Sequence, residues 1–171
     1  RDYVNYFADY IIIAKPINIT GDDAVIKNIG FVIASDDVAL NNINMTADIF
    51  IGNLIDVAGE NIVISNMNIS YVVDEPDNVI KVYQGANNLK ILNNTIYYES
   101  TALEYDVNYK SINAISINSG INWESIIDGV AVEPITGVVI DNNNITVVLP
   151  AFCEDINKHD YMLSGLSAVK S

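Results

Sequence analysis

Carboxylates are the residues of this chain best suited to chemistry, and Asp36, Asp37, Asp56, Glu60 and Asp141 lie at or near places where the chain turns. Hydrolysis of a glycosidic bond needs two carboxyl groups facing one another across the sugar. Calcium-assisted chemistry needs several oxygens converging on one ion. Asp36 and Asp37 could join Glu60, one repeat further along, to hold such a hard cation, and they are the candidate metal ligands. A solvated acidic face is the competing explanation. No cofactor apart from that calcium is expected. His159 stands alone, and the lone Cys153 can form no internal disulfide, so neither supplies a nucleophile–base pair. No catalytic residue is assigned.

Aromatic side chains offer a second kind of chemistry, the stacking of a ring on a sugar or a peptide. Tyr71 and Tyr98 lie two residues beyond Ile69 and Ile96, and period-two alternation sends all four to the same face, so these rings are expected to stack in the core. Tyr105, Tyr109 and Trp123 fall in segments that interrupt the repeat described below, and they are the candidate ligand contacts. Five tripeptides fit the N-glycosylation pattern, beginning at Asn18, Asn44, Asn68, Asn93 and Asn144. Asn44, Asn68 and Asn144 are the candidate acceptors if the protein is extracellular.

The chain has 171 residues, half of them hydrophobic, with 22 acidic residues against 8 basic ones and a formal net charge of −14. It is long enough to bury a core without metals or disulfides. The charge argues against nucleic acid or anionic membranes as partners, because phosphate backbones are held mainly by clustered Lys and Arg. No apolar run reaches the roughly 18 residues of a membrane span, and no secretory leader opens the chain, so direct membrane insertion is not expected.

What must position these residues is a repeat. Four segments align without gaps: Val38 to Met45, Ile62 to Ile69, Leu89 to Ile96 and Val138 to Ile145. Each is apolar at its first, third and eighth positions and has Asn at its fifth. The first spacing marks a short strand with one face inward, and the Asn marks a turn. Amides stacked on successive coils can bond to one another, so Asn42, Asn66, Asn93 and Asn142 are expected to form an inward ladder. A second strand precedes each motif, at Phe31 to Ile33, Ile55 to Val57, Ile80 to Val82 and Ile115 to Ile117, and a third follows it, as at Ile69 to Val73. The spacing of the motif then lengthens where Thr101 to Asn113 and Ile121 to Thr136 are inserted, as loops leaving the side of a solenoid. Ile17, Ile19 and Ala24 suggest an earlier coil, with Gly21 where Asn is expected.

The runs Asn61 to Asn66, Asn88 to Ile96 and Gly137 to Ile145 resemble the parallel β-helix repeat of pectate-lyase-like proteins. The richness in Ile, Asn, Asp and Tyr is similar to adhesin-like surface proteins of methanogenic archaea. The resemblance implies an all-β, right-handed, single-stranded parallel β-helix with three strands per turn, about five turns and two loop insertions. It also implies one domain over 1–171, with clear repeats over 31–149 and a cap or truncated turn over 151–171. Enzymes of the pectate-lyase type commonly place an Arg or Lys base beside calcium. The sole arginine here is Arg1, and no Lys accompanies the acidic cluster in the sequence, so no catalytic residue carries over. The expected function is that of a non-catalytic segment of an extracellular adhesin-like or surface protein, a spacer presenting loops to a cell-surface glycan or protein. The alternative is a carbohydrate-active lyase or hydrolase, or part of one. The open ends of such a coil also suggest end-to-end self-association.

Overall fold

The computed structural model describes residues 9–22, 24–48, 52–73, 77–101, 114–117 and 135–148, together with the backbone of 163–164. The chain winds through three sheets in rotation. The first sheet holds β1 (Asp9–Ile13), β4 (Ile29–Ile33), β7 (Ile55–Val57), β10 (Ile80–Val82), β13 (Ile115–Ile117) and β16 (Leu163–Ser164). The second holds β2 (Ile17–Thr20), β5 (Val38–Asn41), β8 (Val63–Ser65), β11 (Lys90–Leu92) and β14 (Val139–Asp141). The third holds β3 (Val25–Lys27), β6 (Asn44–Ala47), β9 (Asn68–Val73), β12 (Thr95–Ser100) and β15 (Asn144–Val148). Every pairing is parallel, and each strand pairs with those one coil away, the end strands of each sheet on one side only among the described residues. The chain is a parallel β-helix with three strands per turn.

Parallel registration stacks like on like. Phe31, Ile55, Ile80 and Ile115 are successive partners in the first sheet, and Leu40, Ile64 and Ile91 in the second. Met45, Ile69 and Ile96 do the same in the third, and all of these side chains are buried. Burying one such aliphatic chain is worth about 1.5–3 kcal/mol, so the files are the main source of cohesion. Tyr71 and Tyr98 lie inward as alternation predicts, with ring centroids 5.8 Å apart and planes tilted by 40°. Their hydroxyls leave the core at its edge, donating to the carbonyls of Gly52 at 2.6 Å and Asp77 at 2.7 Å.

The corner between the second and third sheets is made by one left-handed residue per coil. Asn42, Asn66, Asn93 and Asn142 have φ between 54° and 56°, a region that costs a residue with Cβ roughly 1–2 kcal/mol unless, like Asn, it can bond locally. The turn follows the sequence pattern, but the ladder lies elsewhere. These four side chains are exposed, because a left-handed residue inserted between extended ones directs its side chain out of the bend. Asn42 donates to the Gly21 carbonyl at 2.9 Å and Asn66 to Asn41 Oδ1 at 2.7 Å, so they bond from the outside.

The inward amides are one residue further on. Asn94 is 1% exposed. Its Nδ2 donates to Asn143 Oδ1 at 2.9 Å and to the Ile64 carbonyl at 3.1 Å, while its Oδ1 accepts the Met67 N–H at 2.9 Å. Asn143 repeats the pattern one coil below, donating to the Ile91 carbonyl at 2.8 Å and accepting the Asn94 N–H at 3.0 Å. The earlier coils fill this position with Ile43 and Met67. Gly21 fits its corner because a Cβ there would lie 2.3 Å from the Asn42 carbonyl oxygen.

Asn94→Ala removes the acceptor of the buried Met67 N–H and one of the donors to the Ile64 carbonyl. It is expected to lower unfolding free energy by about 2–4 kcal/mol. Asn93→Gly, at an exposed left-handed position, should change it by less than about 0.5 kcal/mol. Urea denaturation of both variants checks the assignment, and the opposite ranking would place the ladder at Asn93.

Candidate functional site

The three carboxylates expected to hold a cation occupy the corner between the first and second sheets, where they are spent on the fold. Asp37, Asn61, Asn88 and Gly137 take the same left-handed place on four successive coils, with φ of 57°, 57°, 56° and 70°. Asn61 donates to Asp37 Oδ1 and Asn88 to Asn61 Oδ1, each at 2.9 Å. In the neighbouring column Asp36 Oδ1 accepts the Glu60 N–H at 2.8 Å, and Glu60 Oε1 accepts from Asn87 Nδ2 at 3.1 Å. Asn87 Oδ1 in turn accepts the Thr136 N–H at 2.9 Å. Asp36, Asp37 and Glu60 are therefore links in two outer ladders. Among the described residues no three His, Cys, Asp or Glu side chains gather as a metal-binding group. Asp141 likewise turns to its neighbour, accepting the Asn142 N–H at 2.9 Å.

Asn44, Asn68 and Asn144 share one outward file on the third sheet, with Thr95 between the last two. Asn68 and Asn144 are exposed and Asn44 is half-buried. Tyr105, Tyr109 and Trp123, like Cys153 and His159, lie outside the described residues.

A different group of polar side chains comes together on the outer face of the first sheet. Asp56 on β7, Lys81 on β10 and Ser116 on β13 are register partners on three successive coils. Lys81 Nζ donates to Ser116 Oγ at 3.2 Å. Asp56 accepts from Asn53 Nδ2 at 3.0 Å, and Tyr83 lies nearby. Asn53 is itself fixed. Its Oδ1 accepts from both the side chain of Asn78 at 2.9 Å and the backbone N–H of Asn78 at 3.1 Å, and its carbonyl accepts from the Tyr10 hydroxyl at 3.0 Å. Asp77, on the rim, accepts the Gly52 N–H at 2.7 Å.

Partial burial sets the electrostatics of this group. It raises the Asp56 carboxyl above its ordinary range, with Asp77 adding to the effect, while bonds from Asn53 and Tyr83 and the charge of Lys81 oppose it. Burial also lowers the Lys81 ammonium, against the favourable charge of Asp56. The Tyr83 phenol is raised by burial and then by Asp56. Tyr10 is pushed up to about 12, first by burial and then by the charges of Asp56 and Asp77. Among the described residues the one ion pair closer than 4 Å is Lys27 Nζ to Asp48 Oδ2, at 3.5 Å and on the surface, so Lys81 and Asp56 face one another across a wider gap.

A faint signal of this group is present in the sequence. Asp56 and Lys81 each stand in the middle of an apolar-X-apolar strand, at the same place in consecutive repeats. Aligning the second strands as carefully as the Asn motif brings an acid beside a base. Tyr10 and Asn53 could not have been found that way, since they enter from a coil two turns away and from an irregular corner.

No family model matches the chain, and no curated protein or solved structure matches it. Its class is thus carried by the coil itself, a parallel β-helix bearing a half-buried polar group on one outer face.

Because the folded state raises the Tyr10 pKa above its ordinary value of 10, the neutral phenol contributes stability that is complete below pH 10 and lost as pH rises through about 12. Spectrophotometric titration at alkaline pH should show one phenol ionising near 12, absent in Tyr10→Phe. If Tyr10→Phe leaves the titration curve and the alkaline decline in stability unchanged, the placement of Tyr10 against Asn53 and Asp56 is contradicted.

Proposed function

We propose that the chain is a non-catalytic β-helical segment of an extracellular adhesin-like or surface protein, serving as a spacer whose side presents a binding surface to a cell-surface glycan or protein. The observation that carries this reading is the employment of the outer carboxylates. Asp36, Asp37 and Glu60 are held in coil-to-coil ladders. Acids occupied in this way stiffen a rod and fix its surface, whereas an acid–base pair for glycoside cleavage needs carboxyls free to face the substrate. A strongly acidic chain is also poorly matched to a polyanionic polysaccharide.

The test is turnover. Incubation with polygalacturonate and with alginate, each with and without calcium, should give no new reducing ends and no unsaturated product. Calcium-dependent cleavage abolished by Asp37→Ala would establish the carbohydrate-active alternative instead.

One observation favours end-to-end assembly as a second property. Ile11, Ile17, Ile19 and Ile26 continue the inward files of Phe31, Val38, Leu40 and Met45, yet Ile11 and Ile17 are about 40% exposed, since among the described residues no strand pairs with β1 or β2 on that side. An apolar concavity of about 320 Å³ lies there. The uncovered strand edges would pair with a further coil, from this polypeptide or another copy. Sedimentation velocity should then show concentration-dependent oligomers that Ile17→Glu abolishes, and a monomer at all concentrations would rule self-association out.

A further inference from the structure

We propose that the outer face of the first sheet binds a neutral saccharide, seated in the gap between Asp56 and Lys81 with the ring of Tyr83 as its stacking face. The proposal rests on the surface-recognition reading above and adds to it a site and a ligand class.

The first reason is the gap itself. Asp56 and Lys81 are opposite one another on adjacent strands, and parallel neighbours lie only about 4.8 Å apart. A lysine and a carboxylate so placed would ordinarily close into an ion pair. Here each is drawn away from the other, Lys81 toward Ser116 at 3.2 Å and Asp56 toward Asn53 at 3.0 Å. The result is an ammonium with protons to spare and a carboxylate with lone pairs to spare, both half-buried and more than 4 Å apart. A group inserted between them must accept on one side and donate on the other. A hydroxyl does both at once, and a pyranose carries several at neighbouring carbons.

The second reason is the aromatic surface beside the gap. Tyr83 is 38% exposed, one of the few large side chains left uncovered, and it lies near enough to Asp56 for that carboxylate to help raise its phenol. Its exposed ring is available to the C–H face of a sugar. The remaining polar groups are already oriented: Asn53 is held by Asn78 and Tyr10, and Ser116 is 7% exposed. Little conformational entropy is lost when such a site binds.

The third reason is charge. Lys81 and Asp56 offset one another, so the gap itself selects neither sign. An anionic sugar would approach a chain of net charge −14, and a cationic one would have to displace the ammonium. A neutral, hydroxyl-rich ligand meets neither penalty.

The experiment uses the whole chain and three neutral disaccharides as probes, lactose, cellobiose and mannobiose, titrated by calorimetry and by amide chemical shifts. At least one is expected to bind, shifting the amides of Asp56, Lys81 and Tyr83. Lys81→Met and Tyr83→Ala should each weaken that binding about tenfold or more, with the far-UV circular dichroism of the coil unchanged. Tyr83→Phe, which keeps the ring, should bind more tightly than Tyr83→Ala. Tyr97→Ala, on the third sheet, should bind like the parent chain. The proposal is overturned if none of the three sugars binds, or if binding survives both Lys81→Met and Tyr83→Ala. Sugar binding lost instead in Tyr97→Ala would keep the surface-recognition reading and reject this site. Calcium-dependent turnover of polygalacturonate would reject the non-catalytic reading while leaving this site to be judged by its own variants.

Discussion

Vertical registration of parallel strands is the constraint on which the rest of this structure depends. Once one coil lies on another with Ile55 over Ile80 and Ile69 over Ile96, every side chain acquires a neighbour of the same orientation one strand away. An aliphatic file gains by this at every step. A polar file is tolerable only where each member bonds to the next, because an unpaired amide in a core costs more than the bond it could have made returns. The polar positions obey that rule. Inside, Asn94 and Asn143 each serve a backbone N–H and a carbonyl of the coil above. Outside, Asp37, Asn61 and Asn88 form one column and Asp36, Glu60 and Asn87 another.

The same constraint explains where charge can accumulate. At the corners, acids accept amide protons from the coil next door, so their negative charge becomes part of a hydrogen-bonded column. On the flat of the first sheet register brings charged side chains together, and only Asn53, from a corner, reaches one of them. Asp56 meets Lys81 there, and Lys81 meets Ser116. Partial burial then works on both charges in the same sense, favouring the neutral form of each. The sheet thus carries polar side chains whose needs are incompletely met by the fold, in contrast to the ladders, whose needs are met by it.

Much of the architecture was legible in the sequence because a solenoid repeats its instructions. The strands at Phe31 to Ile33, Ile55 to Val57, Ile80 to Val82 and Ile115 to Ile117 fall within or coincide with β4, β7, β10 and β13, and the inward rings of Tyr71 and Tyr98 follow from alternation. The ladder was misplaced by one residue for a physical reason. An Asn fixed at the fifth position signals a left-handed turn, which exposes its side chain, and only two of four coils carry Asn at the sixth, inward position. At the other corner the proximity of Asp36, Asp37 and Glu60 is legible in the sequence, whereas the donors Asn61 and Asn87, which bond the same carboxylates, are legible only once the coils are stacked. The group around Asp56 is assembled across coils and corners, which sequence spacing does not encode.

The registration of coils is tested most directly by cross-linking across the third sheet in a Cys153→Ser background. Thr46 and Ser70 are register partners on β6 and β9, and Val72 lies two residues further along the same strand. Cysteines at 46 and 70 should oxidise readily to a disulfide while cysteines at 46 and 72 should not, since a bridge needs Cα atoms within about 7 Å. Efficient bridging of 46 to 72 with none of 46 to 70 would contradict the stacking on which both the ladders and the Asp56–Lys81 face are built.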